Sequence, residues 1–225
     1  MGWIFLSGGG DKQHTEKFDQ KFRAQIGVSK PLLYIPVAMK HQNSYVDCYF
    51  WIKSVFNPLG LQEIVMWTDL HQKSLKDLER FSSVYIGGGN TFSLLNDIRS
   101  SGFDEILKKY IQSGGTVYGG SAGAIILGSD IMTCAHLDYN EVGLVDHEGL
   151  NLISDLAIWC HYEPENDEQI RKYIQSHQKS VLALPEETGA YYNDGYLKIT
   201  GTKSAFLFQE ENKLELLPDS EHPAP

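Results

Sequence analysis

Short apolar runs alternate with longer amphipathic segments along the first 120 residues of the chain. Runs rich in β-branched and aromatic residues predict strands, and apolar residues spaced three or four positions apart predict helices. The predicted strands are residues 3–7, 32–35, 61–66, 84–86 and 116–118. The predicted helices are residues 15–26, 44–56 and 91–112, the last interrupted at Gly102, with a short connecting segment at 75–81. This alternation is typical of a parallel sheet with right-handed crossover connections.

The second half of the chain has a different pattern. After a loop-rich stretch, an apolar run at 156–160 predicts a buried strand, and a helix follows near 165–176. Further strands are predicted near residues 181–184, 189–193, 196–200, 205–209 and 214–217. Asn193-Asp194-Gly195 predicts a hairpin turn between two of them.

The whole pattern predicts a three-layer α/β fold, in which a mostly parallel sheet carries helices on both faces and extra antiparallel strands lie toward the C-terminus. We expect a single domain at residues 1–217, because no linker divides the chain. The last residues, 218–225, are polar and rich in proline, which predicts a flexible tail.

Composition narrows the function classes. The 225 residues are 42% hydrophobic and 21% charged, which provides enough apolar material for a core. Nineteen basic and 29 acidic residues give a net charge of −10, which argues against nucleic acid as a partner. The N-terminus lacks a signal-peptide pattern, and the longest uncharged stretch, 111–129, contains six glycines and makes a poor membrane span. We expect a cytoplasmic monomer or homodimer with no membrane partner.

The most informative segment is Gly119-Gly120-Ser121-Ala122-Gly123, between a predicted strand and an apolar helix. Strand, glycine-rich turn and helix are the context of a Gly-x-Ser-x-Gly nucleophile elbow, in which the turn exposes the serine hydroxyl and the glycines avoid Cβ clashes. The N–H of Ala122 would then supply half of an oxyanion hole. The alternative is an ordinary tight turn whose serine caps the helix.

A second glycine turn, Gly87-Gly88-Gly89-Asn90-Thr91, follows the preceding predicted strand. Its backbone N–H groups, Gly89 in particular, could complete the oxyanion hole, and the Asn90 side chain could contact substrate. The segment does not match a dinucleotide-binding motif, because Phe92 stands where the last glycine belongs.

These two motifs, in this order and about thirty residues apart, resemble those of the α-aspartyl dipeptidase (dipeptidase E) and cyanophycinase family of serine peptidases. The resemblance extends from the first strand to about Ala190. It implies a fold similar to the class I glutamine amidotransferases, with serine in place of their elbow cysteine, and hydrolysis of a peptide bond near a free amino terminus. The dipeptidase branch implies small Asp-containing peptides as substrates, and the cyanophycinase branch a branched Asp-Arg polymer; the short chain favours the former.

A serine nucleophile needs a base, because its own pKa is too high for unaided attack. Eight histidines compete, and His161 ends a buried apolar run, which places it at the same edge of the sheet as Ser121. The resemblance agrees, since the family's catalytic histidine follows a similar strand; a structural histidine is the alternative. His136 and His147 could also line a pocket. The segment that begins at His161 alternates His and Glu, but no second well-spaced histidine supports a metal site, so we expect neither metal nor cofactor.

The resemblance also implies an acid that orients the histidine. In the family this glutamate lies after a later strand, which makes Glu186 the first candidate and Glu187 the second. Adjacent side chains at a strand end point in different directions, so the two are not equivalent. The resemblance also implies a catalytic aspartate after the elbow helix, for which Asp138 is the nearest match; a loop carboxylate that makes a turn is the alternative.

Two rival hypotheses remain at this point. One is a non-catalytic binder of peptides or small molecules that has kept the elbow, and the other is an ammonia-releasing amidotransferase, which would need a cysteine at position 121. An acidic substrate would also need a cation, for which Arg99, Arg171 and Lys203 are nominal candidates.

Overall fold

The computed structural model describes all 225 residues. Five short strands of the first half are β1 (Ile4–Ser7), β2 (Leu32–Ile35), β3 (Ile64–Met66), β4 (Ser83–Ile86) and β5 (Val117–Gly120). The helices of this half are α1 (Glu16–Gln25), α2 (Tyr45–Phe56), α3 (Leu75–Leu78), α4 (Thr91–Ser100), α5 (Phe103–Gln112) and α6 (Ala122–Leu127). Gly102, with φ of +71°, separates α4 from α5 at the interruption that the sequence predicts.

The second half adds one helix and seven strands. They are β6 (Ala157–Trp159), α7 (Asp167–His177), β7 (Val181–Ala183), β8 (Thr188–Asn193), β9 (Tyr196–Gly201), β10 (Ala205–Gln209), β11 (Asn212–Leu216) and β12 (Glu221–Pro223). Short 3-10 helices at Val37–Met39, Met132–Cys134 and Pro164–Asn166 complete the structure. No helix combines the length and the apolar character needed to cross a membrane.

The strands form two sheets. The larger has eight strands in the order β12-β9-β8-β1-β5-β4-β2-β3, of which β1 to β5 run parallel and the other three antiparallel. The smaller has the order β11-β10-β7-β6. The predicted three-layer α/β fold with extra antiparallel strands is therefore confirmed. The strand before His161, however, belongs to the smaller sheet and not to the sheet of Ser121.

Successive side chains along each strand of the larger sheet point to opposite faces, and both faces are buried. In β1, Ile4 and Leu6 belong to a core of 41 residues that includes α4, α5 and α6, whereas Phe5 belongs to a core of 15 residues with α1 and α2. A third core of nine residues packs α7 against the smaller sheet. Helices therefore cover both faces of the larger sheet, and its carboxyl edge is left open for a site.

The C-terminal segment differs from its prediction. Residues 221–223 form β12, which pairs antiparallel with β9, and the Lys198 ammonium lies 2.7 Å from the Glu221 carboxylate. The N–H of Ala224 also donates to the carbonyl of Gly195 at 2.8 Å. The prediction of a flexible tail is wrong for this segment, because a polar strand that contains proline can still pair at a sheet edge.

Candidate active site

Ser121 is the single residue between β5 and α6. Its φ of 48° and ψ of −111° are unusual for a residue with a side chain. A Cβ on Gly119 would lie 2.4 Å from the carbonyl oxygen of Gly123, and one on Gly123 would lie 2.2 Å from that of Ile86. The turn is therefore so crowded that only glycine fits two residues to either side of the serine, as a nucleophile elbow requires.

His161 reaches the elbow from the smaller sheet. Its Nε2 lies 2.8 Å from the hydroxyl oxygen of Ser121. The backbone N–H of His161 donates to the carbonyl of Gly8 at 2.8 Å, and this bond ties the end of β6 to the end of β1. His161 also has a positive φ of 53°. The two sheets thus meet where serine and imidazole face each other.

Glu186 completes a row of polar groups. Its Oε1 lies 2.8 Å from Nδ1 of His161, on the opposite side of the ring from Ser121. Glu186 follows β7, the parallel neighbour of β6, the strand that precedes His161. The histidine and glutamate side chains are 32% and 37% exposed, so the row is open to solvent on one side. Hydroxyl, imidazole and carboxylate have the mutual geometry of a nucleophile, a base and an orienting acid.

The glycine run after β1 is part of this site, which the sequence analysis missed. Gly9 has φ of +107°, and a Cβ there would lie 2.2 Å from Cε1 of His161. A Cβ on Gly10 would lie 2.9 Å from the Cβ of Glu186. The run therefore provides the wall against which the imidazole and the carboxylate pack. Three consecutive glycines at the carboxyl end of a central strand were the available signal.

His14 is a second feature that the sequence analysis missed. Its Nδ1 lies 3.4 Å from Oε2 of Glu186 and 3.3 Å from Oδ1 of Asp11. The Glu186 carboxylate therefore lies between two imidazoles, His161 on one oxygen and His14 on the other. The position of His14, soon after the first glycine run, was the only signal for this role.

The two glycine turns supply backbone near the serine hydroxyl. A Cβ on Gly88 would lie 3.2 Å from the Cβ of Ser121, whereas one on Gly89 would lie 2.4 Å from the carbonyl oxygen of Ala38. Gly88 is thus the residue of that turn that packs on the serine, and Gly89 packs behind it. Ala122 is the first residue of α6, where an N–H has no acceptor within the helix.

Asn90 and Asp138 do not line the cavity beside Ser121. Asn90 caps α4 by accepting the N–H of Ser93 at 2.9 Å, and its amide donates to the carbonyl of Tyr139 at 2.9 Å. Asp138 accepts the N–H of Thr91 at 2.8 Å. Both side chains hold the loop that follows α6 against the start of α4, so the structure gives them a capping role.

Glu187 is directed to a different partner from Glu186. Its carboxylate lies 2.9 Å from the ammonium of Lys203. Partial burial acts to raise the pKa of Glu187, but the hydrogen bond and charge of Lys203 outweigh it and hold that pKa below its usual value. Of the other nominal cations, Arg99 donates to the carbonyls of Asp146 and Glu148 and Arg171 to that of Glu211, so all three lie outside the cavity.

The two remaining candidate histidines also lie outside the cavity. His136 stacks on Trp159 with ring centroids 4.3 Å apart, and burial together with the charge of His161 lowers its pKa. His147 packs edge-on against Phe92. No group of three or more His, Cys, Asp or Glu side chains is arranged to hold a metal ion.

A cavity of about 550 Å³ opens directly beside Ser121 and His161. Its walls come from the carboxyl ends of β1, β2, β4 and β5, from the loop before α1, and from one face of α2. The floor includes Tyr85, whose ring stacks on Tyr118 with centroids 4.4 Å apart. This volume is typical of a pocket for a small ligand.

A buried carboxylate lies under this floor. Asp19 of α1 accepts hydrogen bonds from the hydroxyls of Thr15 at 2.6 Å and Tyr118 at 2.8 Å. Burial raises the pKa of Asp19 to about 6, and these two hydrogen bonds oppose the rise. Since Tyr118 lies three residues before Ser121, Asp19 supports the strand that leads into the elbow.

Comparison with known proteins identifies the class. The model of Peptidase family S51 matches residues 3–200, so the chain belongs to that family and is a serine-type peptidase. It is 26% identical over 212 residues to Peptidase E from Pasteurella multocida (strain Pm70), which covers 91% of this chain and 89% of that protein. It is 23% identical over 204 residues to Peptidase E from Haemophilus influenzae (strain Rd), covering 88% of this chain and 92% of that protein.

Two solved structures share the fold. A putative peptidase E protein from Listeria monocytogenes EGD-e matches with a TM-score of 0.71 at 22% identity, covering 90% of this chain and 100% of that one. A peptidase from an acI-B1 Actinobacterium matches with a TM-score of 0.75 at 16% identity, covering 99% of this chain and 97% of that one. These two solved structures therefore share the overall fold of this chain.

Proposed function

We propose that this peptidase hydrolyses a peptide bond near the free amino terminus of a short peptide, through an acyl-enzyme formed on Ser121. His161 acts as the base and Glu186 orients it. The observation that carries the proposal is the unbroken row from the Ser121 hydroxyl to Nε2 of His161, and from Nδ1 to the Glu186 carboxylate, each step 2.8 Å long. A neutral imidazole whose Nδ1–H donates to the Glu186 carboxylate has Nε2 free to accept the serine proton.

The chemistry has two halves. The Ser121 oxygen attacks the peptide carbonyl while His161 takes its proton, and the N–H groups of Ala122 and of the Gly88–Gly89 turn stabilise the oxyanion. His161 then gives the proton to the departing amine, and the C–N bond breaks. Water, deprotonated by the same imidazole, attacks the acyl-enzyme. The ester C–O bond then breaks, His161 returns the proton to the Ser121 oxygen, and the acid product leaves.

The size of the substrate follows from the cavity. A volume of about 550 Å³ accommodates one or two amino-acid residues, and not a folded chain. The resemblance to the dipeptidase branch of the family further implies that the substrate is an Asp-containing dipeptide. The aspartyl part depends on the resemblance alone, because the nominal cations Arg99, Arg171 and Lys203 are paired elsewhere.

A dipeptide library with varied amino-terminal residues tests the proposal. Native protein is expected to hydrolyse a subset of the library, and Ser121→Ala to lose that activity by at least about 1,000-fold. Thermal unfolding of both proteins controls for folding. Turnover retained by Ser121→Ala would exclude the proposed mechanism.

A further inference from the structure

We infer that the floor of the cavity beside Ser121, formed by Ser7, Thr15 and Tyr85, binds the α-ammonium group of the substrate's amino-terminal residue. The buried carboxylate of Asp19 orients the hydroxyl groups of this floor and supplies the compensating charge. The inference rests on the proposed function, because it concerns the substrate of the same site. It names the residues that would make a free amino terminus necessary.

Asp19 is a buried charge without a cationic partner. It is 2% exposed, and its carboxylate accepts the hydroxyl protons of Thr15 at 2.6 Å and Tyr118 at 2.8 Å. Burial raises its pKa to about 6, the two hydrogen bonds oppose the rise, and no basic side chain contributes. Most molecules therefore carry this charge at neutral pH, and a nearby cation would offset the cost of burying it.

The carboxylate fixes the direction in which the hydroxyl of Thr15 donates. An ionised carboxylate can only accept hydrogen bonds, so the single hydroxyl proton of Thr15 points at Asp19. The same hydroxyl lies 3.2 Å from the carbonyl oxygen of Asp11, but the carboxylate is nearer and charged. Thr15 lines the cavity, and its oxygen is left able to accept a hydrogen bond from a ligand.

Ser7 adds a second acceptor to the floor. Because Tyr118 gives its own proton to Asp19, its oxygen is left to accept from Ser7. Burial and the charge of Asp19 raise the pKa of Tyr118, and the hydrogen bond from Ser7 opposes that rise. The Ser7 oxygen also accepts the N–H of Gly9 at 3.3 Å. The hydroxyl protons of Ser7 and Thr15 are thus both committed to groups beneath the cavity.

The charge of Asp19 acts on the lining of the cavity. Burial, and after it the charge of Asp19, raise the pKa of Tyr85 well above its usual value. Tyr85 is part of the floor, and no lysine or arginine lines the cavity. Since charges buried away from water are screened little, a floor of this kind attracts a group that carries both a positive charge and N–H donors.

Position selects the α-ammonium among the cations of a peptide. Ser7 pairs with Gly120, which directly precedes Ser121, so the floor lies beside the attacking oxygen. The α-nitrogen of an amino-terminal residue is bonded to the carbon next to its carbonyl, whereas a basic side chain carries its charge at the end of a long stem. An acylated amino terminus would leave the floor with acceptors and no donor. The side chain of the amino-terminal residue is not constrained by this contact.

The test compares a peptide with its analogue that lacks only the α-ammonium. Asp-Leu and succinyl-Leu form such a pair, because a succinyl group is an aspartyl residue without its amino group. We expect kcat/KM for Asp-Leu to exceed that for succinyl-Leu at least about tenfold, since a hydrogen bond to a charged group is involved. Equal values for the two compounds would overturn the inference and leave the proposed function intact.

Variants assign this preference to the Asp19 network. Asp19→Asn keeps the size of the side chain but carries no charge and donates hydrogen bonds, so the ratio of the two kcat/KM values should fall about tenfold, mainly through KM. Because the ratio compares two compounds on one protein, a loss of folded protein does not change it. A ratio insensitive to Asp19→Asn would contradict the inference.

Thr15 offers a matched series. Thr15→Val removes the hydroxyl and should lower the ratio about threefold, whereas Thr15→Ser keeps the hydroxyl and should keep the ratio. Thr133→Val is the control, since it removes a buried hydroxyl outside the cavity and should leave the ratio unchanged. Equal effects of Thr15→Val and Thr133→Val would show that the Thr15 hydroxyl does not contact the substrate.

A binding measurement separates the two proposals. Calorimetric titration of Ser121→Ala with Asp-Leu and succinyl-Leu measures the preference without turnover. If native protein hydrolyses no peptide of the library, the proposed function fails. Tighter binding of Asp-Leu still supports the inference in that case, and equal binding, or no binding of either compound, contradicts it.

Discussion

Ser121 and His161 have similar backbone conformations, but different contacts hold them in place. Each follows a short buried strand and has a positive φ, 48° and 53° respectively. The serine is held by its own turn, where Gly119 and Gly123 allow backbone atoms to approach closely. The histidine is held from a distance, by a backbone bond to Gly8, by the surface of Gly9 and by Glu186.

Because of this difference, we expect Ser121 to be held rigidly and His161 to be easier to displace. The residues on either side of Ser121 in the elbow are buried, whereas the His161 and Glu186 side chains are about one-third exposed and follow strands of the smaller sheet. Substitutions around the histidine should therefore change catalysis with little effect on folding, and substitutions beneath the serine should change stability.

The largest effect is expected at Glu186. Glu186→Gln keeps the shape of the side chain but removes the charge that stabilises the imidazolium, and kcat should fall about 10²- to 10⁴-fold. The measurement is steady-state kinetics on the best peptide of the library. Glu187→Gln is the matched control, since its carboxylate pairs with Lys203, and it should reduce kcat less than about threefold. A reversal of the two results would assign the orienting role to Glu187.

Gly9→Ala tests the support of the histidine. The new Cβ would overlap the imidazole at 2.2 Å and occupy a backbone conformation with φ of +107°. Because a displacement of about 1 Å in a catalytic group can reduce the rate about 100-fold, a loss of that size in kcat/KM is expected. Gly27→Ala is the control, since no atom lies within 4 Å of its added Cβ. Equal activity of the two variants would show that Gly9 does not position the base.

Beneath the serine, Asp19 predicts a pH-dependent stability. Its pKa in the folded protein is about 6, above the usual value near 4, so the folded state binds the proton more tightly than the unfolded state. The contribution of Asp19 to the free energy of unfolding therefore falls as pH rises from about 4 to about 7, by at most about 3 kcal/mol.

Asp19→Asn isolates this contribution. Urea unfolding of both proteins between pH 4 and pH 7 should show native protein losing stability relative to the variant as pH rises. A difference that is independent of pH, or that changes in the opposite direction, would contradict the raised pKa.

The smallest effect is expected at His14, on the outer side of Glu186. The two side chains are 41% and 37% exposed and 3.4 Å apart. His14→Gln should therefore reduce kcat by no more than about fivefold at pH 7. His71→Gln, which removes another exposed histidine paired with an aspartate, is the control. A loss comparable to that of Glu186→Gln would mean that His14 takes part in proton transfer.

The elbow could be predicted because its signal is local. Glycines at 119 and 123 around Ser121 are required by contacts within a few residues and one neighbouring strand, and the alternation of strands and helices that surrounds them is visible in the sequence. Strand and helix bounds of the first half agree with the prediction to within a few residues for the same reason.

The rest of the site depends on contacts between distant segments. Nothing in the local pattern shows that the strand before His161 joins a second sheet, that Gly9 packs on its ring, or that Asp47 reaches the cavity from α2. Asn90 and Asp138 are the opposite case, since the sequence singled them out as site residues but they lie outside the cavity. Their residue types suit catalysis, but a helix terminus needs the same hydrogen-bonding groups.

Covalent labelling tests the central claim most directly, because it depends on an activated Ser121 and not on the substrate. Native protein treated with a serine-directed phosphonate should gain one adduct by intact mass, located on Ser121 by peptide mapping. Ser121→Ala should gain none, and Glu186→Gln should react much more slowly. Native protein that stays unlabelled, or an adduct that persists in Ser121→Ala, would contradict the account.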